Sequence, residues 1–155
     1  MAIQVFYQYE FFNKEQGFEK LTNNTIENYA LNFDEPVSSY KQNINQELLD
    51  NLIEGLKINV ENIDEDISEF VKSPWTLDKL EDLILQIIRF GCFELKYMKN
   101  NPARSVINEY VDICGSFFDE KQTTFVNAIL DKLARKFRKT EFEEIKIEET
   151  KNEQE

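Results

Sequence analysis

The hydrophobic residues of this chain recur at intervals of three and four, the spacing that places side chains along one face of an α-helix. The pattern is clearest between residues 102 and 133, where it predicts two helices around a polar turn at 119–122. Their apolar stripes consist of Val106, Ile107, Tyr110, Val111 and Cys114 in the first helix, and of Phe125, Val126, Ile129, Leu130 and Leu133 in the second. Pro102 suits the start of the first helix, where a missing N–H costs nothing. Thr123 or Thr124 is the predicted N-cap of the second. Because each stripe has to be covered, the rest of the chain must supply the cover.

Four more helices are predicted upstream by the same spacing. They lie at 1–12, 22–33, 45–71 and 75–98. The last is apolar nearly all round, which is typical of a central helix. The acidic run 64–66 within the third helix is predicted to face water.

A break at Lys72-Ser73-Pro74 divides the pattern. It predicts an N-terminal helical subdomain at 1–72 and a C-terminal one at 73–140. Residues 141–155 are charged and contain few apolar side chains, so they are expected to form a disordered acidic tail.

Composition supports a helical protein. The chain has 155 residues, of which 41% are hydrophobic, with only four glycines and three prolines. Few turn residues favour long helices over a sandwich of short strands. The net charge of −12 means that the overall field does not attract nucleic acid, although a local basic patch can still bind an anion.

The residues needed for common catalytic and metal sites are missing. The chain contains no histidine, which removes the usual zinc sites, the Ser-His-Asp triad and the Cys-His dyad. Cys92 and Cys114 are interpreted as small core residues. The most apolar run, 83–93, is too short to span a bilayer, and no secretory signal is visible. We therefore expect a cytoplasmic protein without catalytic residues, metal or cofactor.

Four segments resemble signatures of the NusB family. They are AIQVFYQYE at 2–10, IIRFGCFEL at 87–95, VINEYV at 106–111 and FVNAILDK at 125–132. The resemblance covers about residues 2–139 and is strongest from residue 75 onward. It implies an all-α fold of two stacked helical bundles with about six to seven helices.

The resemblance also implies a noncatalytic function. NusB-like proteins pair with NusE, a small-subunit ribosomal protein. The pair binds the boxA element of ribosomal RNA leaders and helps RNA polymerase read through terminators. No membrane or DNA contact is expected. The alternative is a protein-interaction module that binds NusE but has lost most RNA affinity.

Two sets of site residues are expected from this resemblance. The RNA-binding set is Gln4, Tyr7, Arg104, Lys121, Phe125 and Asn127. The partner-binding set is Tyr7, Arg89 and Glu94. Arg104 and Lys121 lie near two predicted helix starts, where they are expected to meet phosphate together.

Several of these positions also allow a structural interpretation. Asn127 is expected to form a buried bond between helices that fixes their register, and the alternative is an exposed amide that meets RNA. Phe125 belongs either to the core or to a surface on which an unpaired base stacks. The basic run at 132–139 is expected to complement the helix dipole and pair with the acidic tail, and the alternative is a phosphate-binding strip.

Two departures from the family pattern bear on RNA binding. The family usually begins with an Arg-rich segment that contacts RNA, and here the sequence starts at Met1-Ala2. Either the true start lies upstream, or the protein has lost part of its RNA contact. Lys121 stands where the family usually has an acidic residue. The reversed charge at Lys121 is expected to alter contact with RNA or with NusE. Because of the missing basic segment and the net charge of −12, we expect weak RNA binding by the protein alone, with a strong dependence on salt.

Overall fold

The computed structural model describes residues 1–11, 17–32, 45–72 and 76–143, and every regular element in these ranges is helical. The α-helices are α1 (Ala2–Phe11), α2 (Phe18–Asn32), α3 (Gln46–Ser68), α4 (Asp82–Tyr97), α5 (Ala103–Gly115) and α6 (Glu120–Phe137). A 3₁₀ helix spans Leu77–Lys79, and residues 139–143 form a further helical segment. The prediction of an all-α fold is confirmed.

The chain divides into two compact units, 1–58 and 59–155, and the division falls within α3. The subdomains predicted at 1–72 and 73–140 stay predictions, because a division of contacts does not by itself define a folding domain. The tail predicted from residue 141 lies outside the described residues from 144 onward.

In the first unit, α1 packs against α2. Val5 and Phe6 of α1 and Leu21 and Ile26 of α2 are buried. The start of α3 is capped by Asn45, whose side-chain oxygen accepts the Leu48 N–H at 3.0 Å. Asparagine is among the preferred N-cap residues because this bond satisfies a helix N–H that has no partner within the helix.

In the second unit, α4, α5 and α6 contact one another. The approach of α4 to α6 is close at Gly91, where an added Cβ would lie 2.7 Å from Leu130 Cδ2 and 3.4 Å from Tyr110 Cδ2. Cys92 and Cys114 are buried free thiols, as predicted. Burial raises the pKa of Cys92 to about 12, so this thiol is inert at neutral pH.

Three predicted helix starts are wrong, and the first is that of the helix expected from residue 22, which begins at Phe18. The helix expected from residue 75 begins at Asp82, since the 3₁₀ helix ends in an extended backbone at Leu80. The cap of α6 is Asp119, whose carboxylate accepts the N–H groups of Lys121 at 2.9 Å and Gln122 at 3.3 Å. An aspartate at this position adds charge at the positive end of the helix dipole. It therefore caps the helix in place of Thr123 or Thr124.

The acidic run of α3 does not simply face water, which corrects the prediction for 64–66. Asp64 accepts two bonds from Arg89, at 2.8 and 2.6 Å. Asp66 is buried and accepts bonds from Lys96 at 2.6 Å and Lys136 at 2.7 Å. These ion pairs connect the C-terminal part of α3 to α4 and α6.

Across the described ranges, none of the helices combines the length and hydrophobicity that a membrane span requires.

Candidate functional site

A shallow groove lies where the 3₁₀ helix and α4 meet the start of α6. We name it the Phe125 groove, and its lining residues are Lys79, Leu80, Glu81, Ile84, Lys121, Gln122 and Phe125. Phe125 is half-buried, so part of its ring faces the groove. Lys79 and Lys121 are exposed. The groove thus offers a ring face with two cationic side chains beside it.

The positive charge of the Phe125 groove comes from its lysines. The carboxylate of Asp119 already compensates the positive end of the α6 helix dipole. Glu120 adds a second acidic group in the first turn. Glu81 also lines the groove. An anion would therefore be held by Lys79 and Lys121 and opposed by the nearby carboxylates.

A second groove runs between α5 and α6. We name it the Arg104 groove, and its lining residues are Arg104, Ile107, Asn108, Asn127, Asp131, Arg135 and Phe142. Arg104 and Asn127 are exposed. Arg135 donates to Asp131 at 2.8 Å, and its guanidinium lies 4.7 Å from the centre of the Phe142 ring.

The start of α5 beside Arg104 is fixed by Arg138, which is buried. Its guanidinium donates to the carbonyl oxygens of Leu95 at 2.8 Å, Met98 at 3.0 Å and Asn101 at 2.9 Å. It also donates to Glu141, whose other carboxylate oxygen accepts the Ala103 N–H at 2.8 Å. Arg138 therefore joins the end of α4 to the first turn of α5.

Comparison with known proteins identifies the family. A family model described as "NusB family" matches residues 1–135. The chain belongs to the NusB family. The "Transcription antitermination protein NusB" of Bradyrhizobium diazoefficiens is 35% identical over 91 residues, which cover 59% of this chain and 55% of that protein. The protein of the same name from Maricaulis maris is 33% identical over 97 residues, covering 63% and 61% of the two chains.

The chain thus matches little more than half the length of these NusB relatives. A solved structure, "T. maritima NusB, P3121, Form 2", has a TM-score of 0.70 with this chain at 24% identity and covers 92% of both chains. This likeness shows that the fold is that of NusB proteins.

The predicted RNA-binding residues of α5 and α6 in this NusB chain fall into two grooves. Lys121 and Phe125 line one, and Arg104 and Asn127 line the other. The structure does not place Arg104 and Lys121 in one groove, where a joint phosphate site was expected. Asn127 is exposed, so its interpretation as a buried amide between helices is wrong.

The basic residues at 132–139 of this NusB chain differ in burial and in their ion pairs. Arg138 is internal, and Lys136 forms bonds with Asp66 and Glu69 at 2.7 and 2.8 Å. Lys132, Arg135 and Lys139 are exposed. The interpretation as a surface strip is therefore wrong for Arg138, and the expected pairing with the tail is wrong for Lys136, which pairs with Asp66 and Glu69. Pairing with the tail predicted from residue 141 is found at Arg138–Glu141, at 2.8 Å, and at Lys139–Glu143, at 3.7 Å.

The residues expected to contact a partner are held by internal bonds. Arg89 is paired with Asp64. Glu94 is buried and accepts the Tyr110 hydroxyl at 2.5 Å. Gln4 and Tyr7 lie about one turn apart on α1 and are half-buried. The RNA and partner roles of all these NusB residues stay predictions.

Proposed function

We propose that this protein is a transcription antitermination factor that binds boxA RNA together with NusE and promotes read-through by RNA polymerase. Its membership of the NusB family supports this proposal, as do relatives that carry the name transcription antitermination protein. The observation that carries the RNA part is the Phe125 groove, which is lined by a half-buried ring and by two exposed lysines, Lys79 and Lys121.

The chemistry of this groove fits an unpaired nucleotide. A base that stacks on an aromatic side chain contributes about 1–3 kcal/mol, with little dependence on its identity. Lys79 and Lys121 supply the charge that a phosphate requires, and the apolar side chains of Leu80 and Ile84 complete the lining. Duplex RNA has no free base to offer, so the proposed ligand is single-stranded.

The net charge of −12 opposes RNA at long range and leaves attraction to short-range contacts. Binding by the protein alone is therefore weak, and a partner that adds positive charge or RNA contacts strengthens it. NusE is the proposed partner, with Tyr7 and Arg89 as the proposed contact residues, whereas Glu94 is buried and can only support such a surface from within.

The test is a titration of labelled single-stranded boxA RNA by fluorescence anisotropy, with and without NusE. Phe125→Leu is expected to weaken binding about tenfold through lost stacking. Phe117→Leu is the matched control, because Phe117 is 57% exposed and lines neither groove. Equal affinities for the two variants would contradict the role of Phe125.

The same titration distinguishes the proposed function from the alternative, a protein-interaction module. Under the proposal, NusE and the protein together bind the RNA more tightly than either alone. A stable complex with NusE that adds no RNA affinity would instead identify a protein-interaction module.

A further inference from the structure

The last helical segment that the structure describes, 139–143, ends beside the Arg104 groove. Glu141 is fixed at the start of α5 by its bonds to Arg138 and to the Ala103 N–H, both at 2.8 Å. Phe142 is buried and lines the groove. Residues 144–155 are therefore tethered within two residues of a groove wall.

The composition of residues 144–155 complements this groove. Five glutamates against two lysines give the segment a net charge of −3. Arg104 is exposed and forms no salt bridge within the ranges that the structure describes. Ile107 and Phe142 also line the groove but are buried, so the charge of Arg104 is the feature of the groove that the segment can meet.

We infer that residues 144–155 compete with RNA for the Arg104 groove, so that the carboxylates of this segment are displaced when RNA binds. The inference rests on the proposed function and extends it, because it takes Arg104 and Asn127 of this groove as RNA contacts in addition to the Phe125 groove. Tethering gives the segment an effective concentration on the order of millimolar at a site it can reach. An extended chain of this length reaches up to ~40 Å, whereas α6 is ~27 Å long, so the whole groove is within range.

The test uses the full-length protein with the five glutamates of the segment neutralised. The variant carries Glu144→Gln, Glu148→Gln, Glu149→Gln, Glu153→Gln and Glu155→Gln. Its Kd for single-stranded boxA RNA, measured with NusE present, is expected to fall about threefold or more at low salt, because the competitor has lost its charge. The difference is expected to shrink as salt rises and screens these charges.

A matched control separates competition from general repulsion. It neutralises five exposed glutamates on α2 and α3, which makes the same change in net charge far from the segment in sequence. These residues are Glu19, Glu27, Glu47, Glu61 and Glu65. The change in log Kd caused by the control substitutions is expected to be less than half of the change caused by the segment substitutions.

A third comparison tests the groove itself. In an Arg104→Gln background, neutralising the segment is expected to give a smaller relative gain in affinity, because the segment has lost its partner. Equal RNA affinity of the wild type and the segment variant, or an equal gain in the control, would overturn the inference and leave the proposed function intact. An absence of RNA binding in every variant would overturn the proposed function.

Discussion

Tyr110 of α5 donates a hydrogen bond to Glu94 of α4 at 2.5 Å, and both side chains are buried. Burial raises the pKa of Glu94, nearby Glu109 adds to the rise, and the hydroxyl of Tyr110 and the charge of Arg138 oppose it. The burial of Tyr110 and the nearby Glu94 raise the pKa of that hydroxyl well above its ordinary value, so Tyr110 remains a donor. Within the described parts of the chain, the neutral hydroxyl of Tyr110 is therefore the hydrogen-bond donor to this buried carboxylate.

Removing this hydroxyl should destabilise the fold. Tyr110→Phe leaves the Glu94 carboxylate buried without its donor, and we expect the free energy of unfolding at pH 7 to fall by about 1–3 kcal/mol. Urea unfolding followed by circular dichroism measures the change. Tyr97→Phe is the control, because Tyr97 is 43% exposed and should lose little.

The loss in Tyr110→Phe should depend on pH. Because the folded-state pKa of Glu94 lies above its unfolded value of 4.5, ionisation of this group costs stability. The cost is absent below the unfolded pKa and grows as pH rises through the folded pKa. Losing the hydroxyl raises the folded pKa further, so the variant should lose less stability at pH 5 than at pH 7. An equal loss at both pH values would contradict this account.

Asp66 should give the opposite pH dependence. Burial tends to raise its pKa, but the hydrogen bonds from Lys136 and Lys96 prevail and hold it below the ordinary 3.8. A depressed folded pKa contributes stability that is present above the unfolded pKa and is lost as pH falls through the folded pKa. Wild-type stability should therefore fall as pH drops below about 4.

Asp66→Asn tests this relationship, since an amide cannot ionise. We expect the variant to be less stable than wild type at pH 7 and to lose less of its stability between neutral pH and the acid limit. Urea unfolding across a pH series measures both effects. Asp112→Asn is the control, because Asp112 is exposed on α5 and its substitution should leave the stability at pH 7 unchanged.

The close approach of α4 to α6 gives a third prediction. Gly91→Ala gains about 1 kcal/mol of helix propensity, but its methyl group would meet Leu130 Cδ2 at 2.7 Å. Leu130 is fully buried, so we expect overpacking of about 1–3 kcal/mol to exceed the gain. In a Leu130→Val background, which lacks the clashing atoms, Gly91→Ala should be neutral or stabilising. Urea unfolding of the four proteins gives the coupling energy, and simple additivity would exclude the clash.

The helices could be predicted from the sequence because their stripes are long and periodic. Residues 103–115 and 120–137 each bury several side chains at spacings of three and four. The helix ends were less predictable, because a start is decided by a single local bond. Asp119 forms that bond for α6, although two threonines lie close by in the sequence.

The polar contacts that position the candidate site could not be predicted in the same way. Arg138 and Asp66 find their partners in helices distant in sequence, and charge alone suggested that such residues face solvent. One signal was available for Arg138. Val126, Leu130, Ala134 and Arg138 are spaced by four and all are buried, so the arginine continues an apolar stripe toward the core.

Lys121 gives a direct test of the Phe125 groove. Lys121→Gln should weaken RNA binding and reduce the slope of log Kd against log salt by about 1, as expected for the loss of one phosphate contact. Lys121→Glu, which reverses the charge, should weaken binding further. The measurement is anisotropy with boxA RNA and NusE over a salt series. The control is Lys132→Gln, because Lys132 is exposed on α6 and lines neither groove. Equal losses for the two glutamine variants would favour a phosphate-binding strip on the exposed part of the basic run over a site in the Phe125 groove.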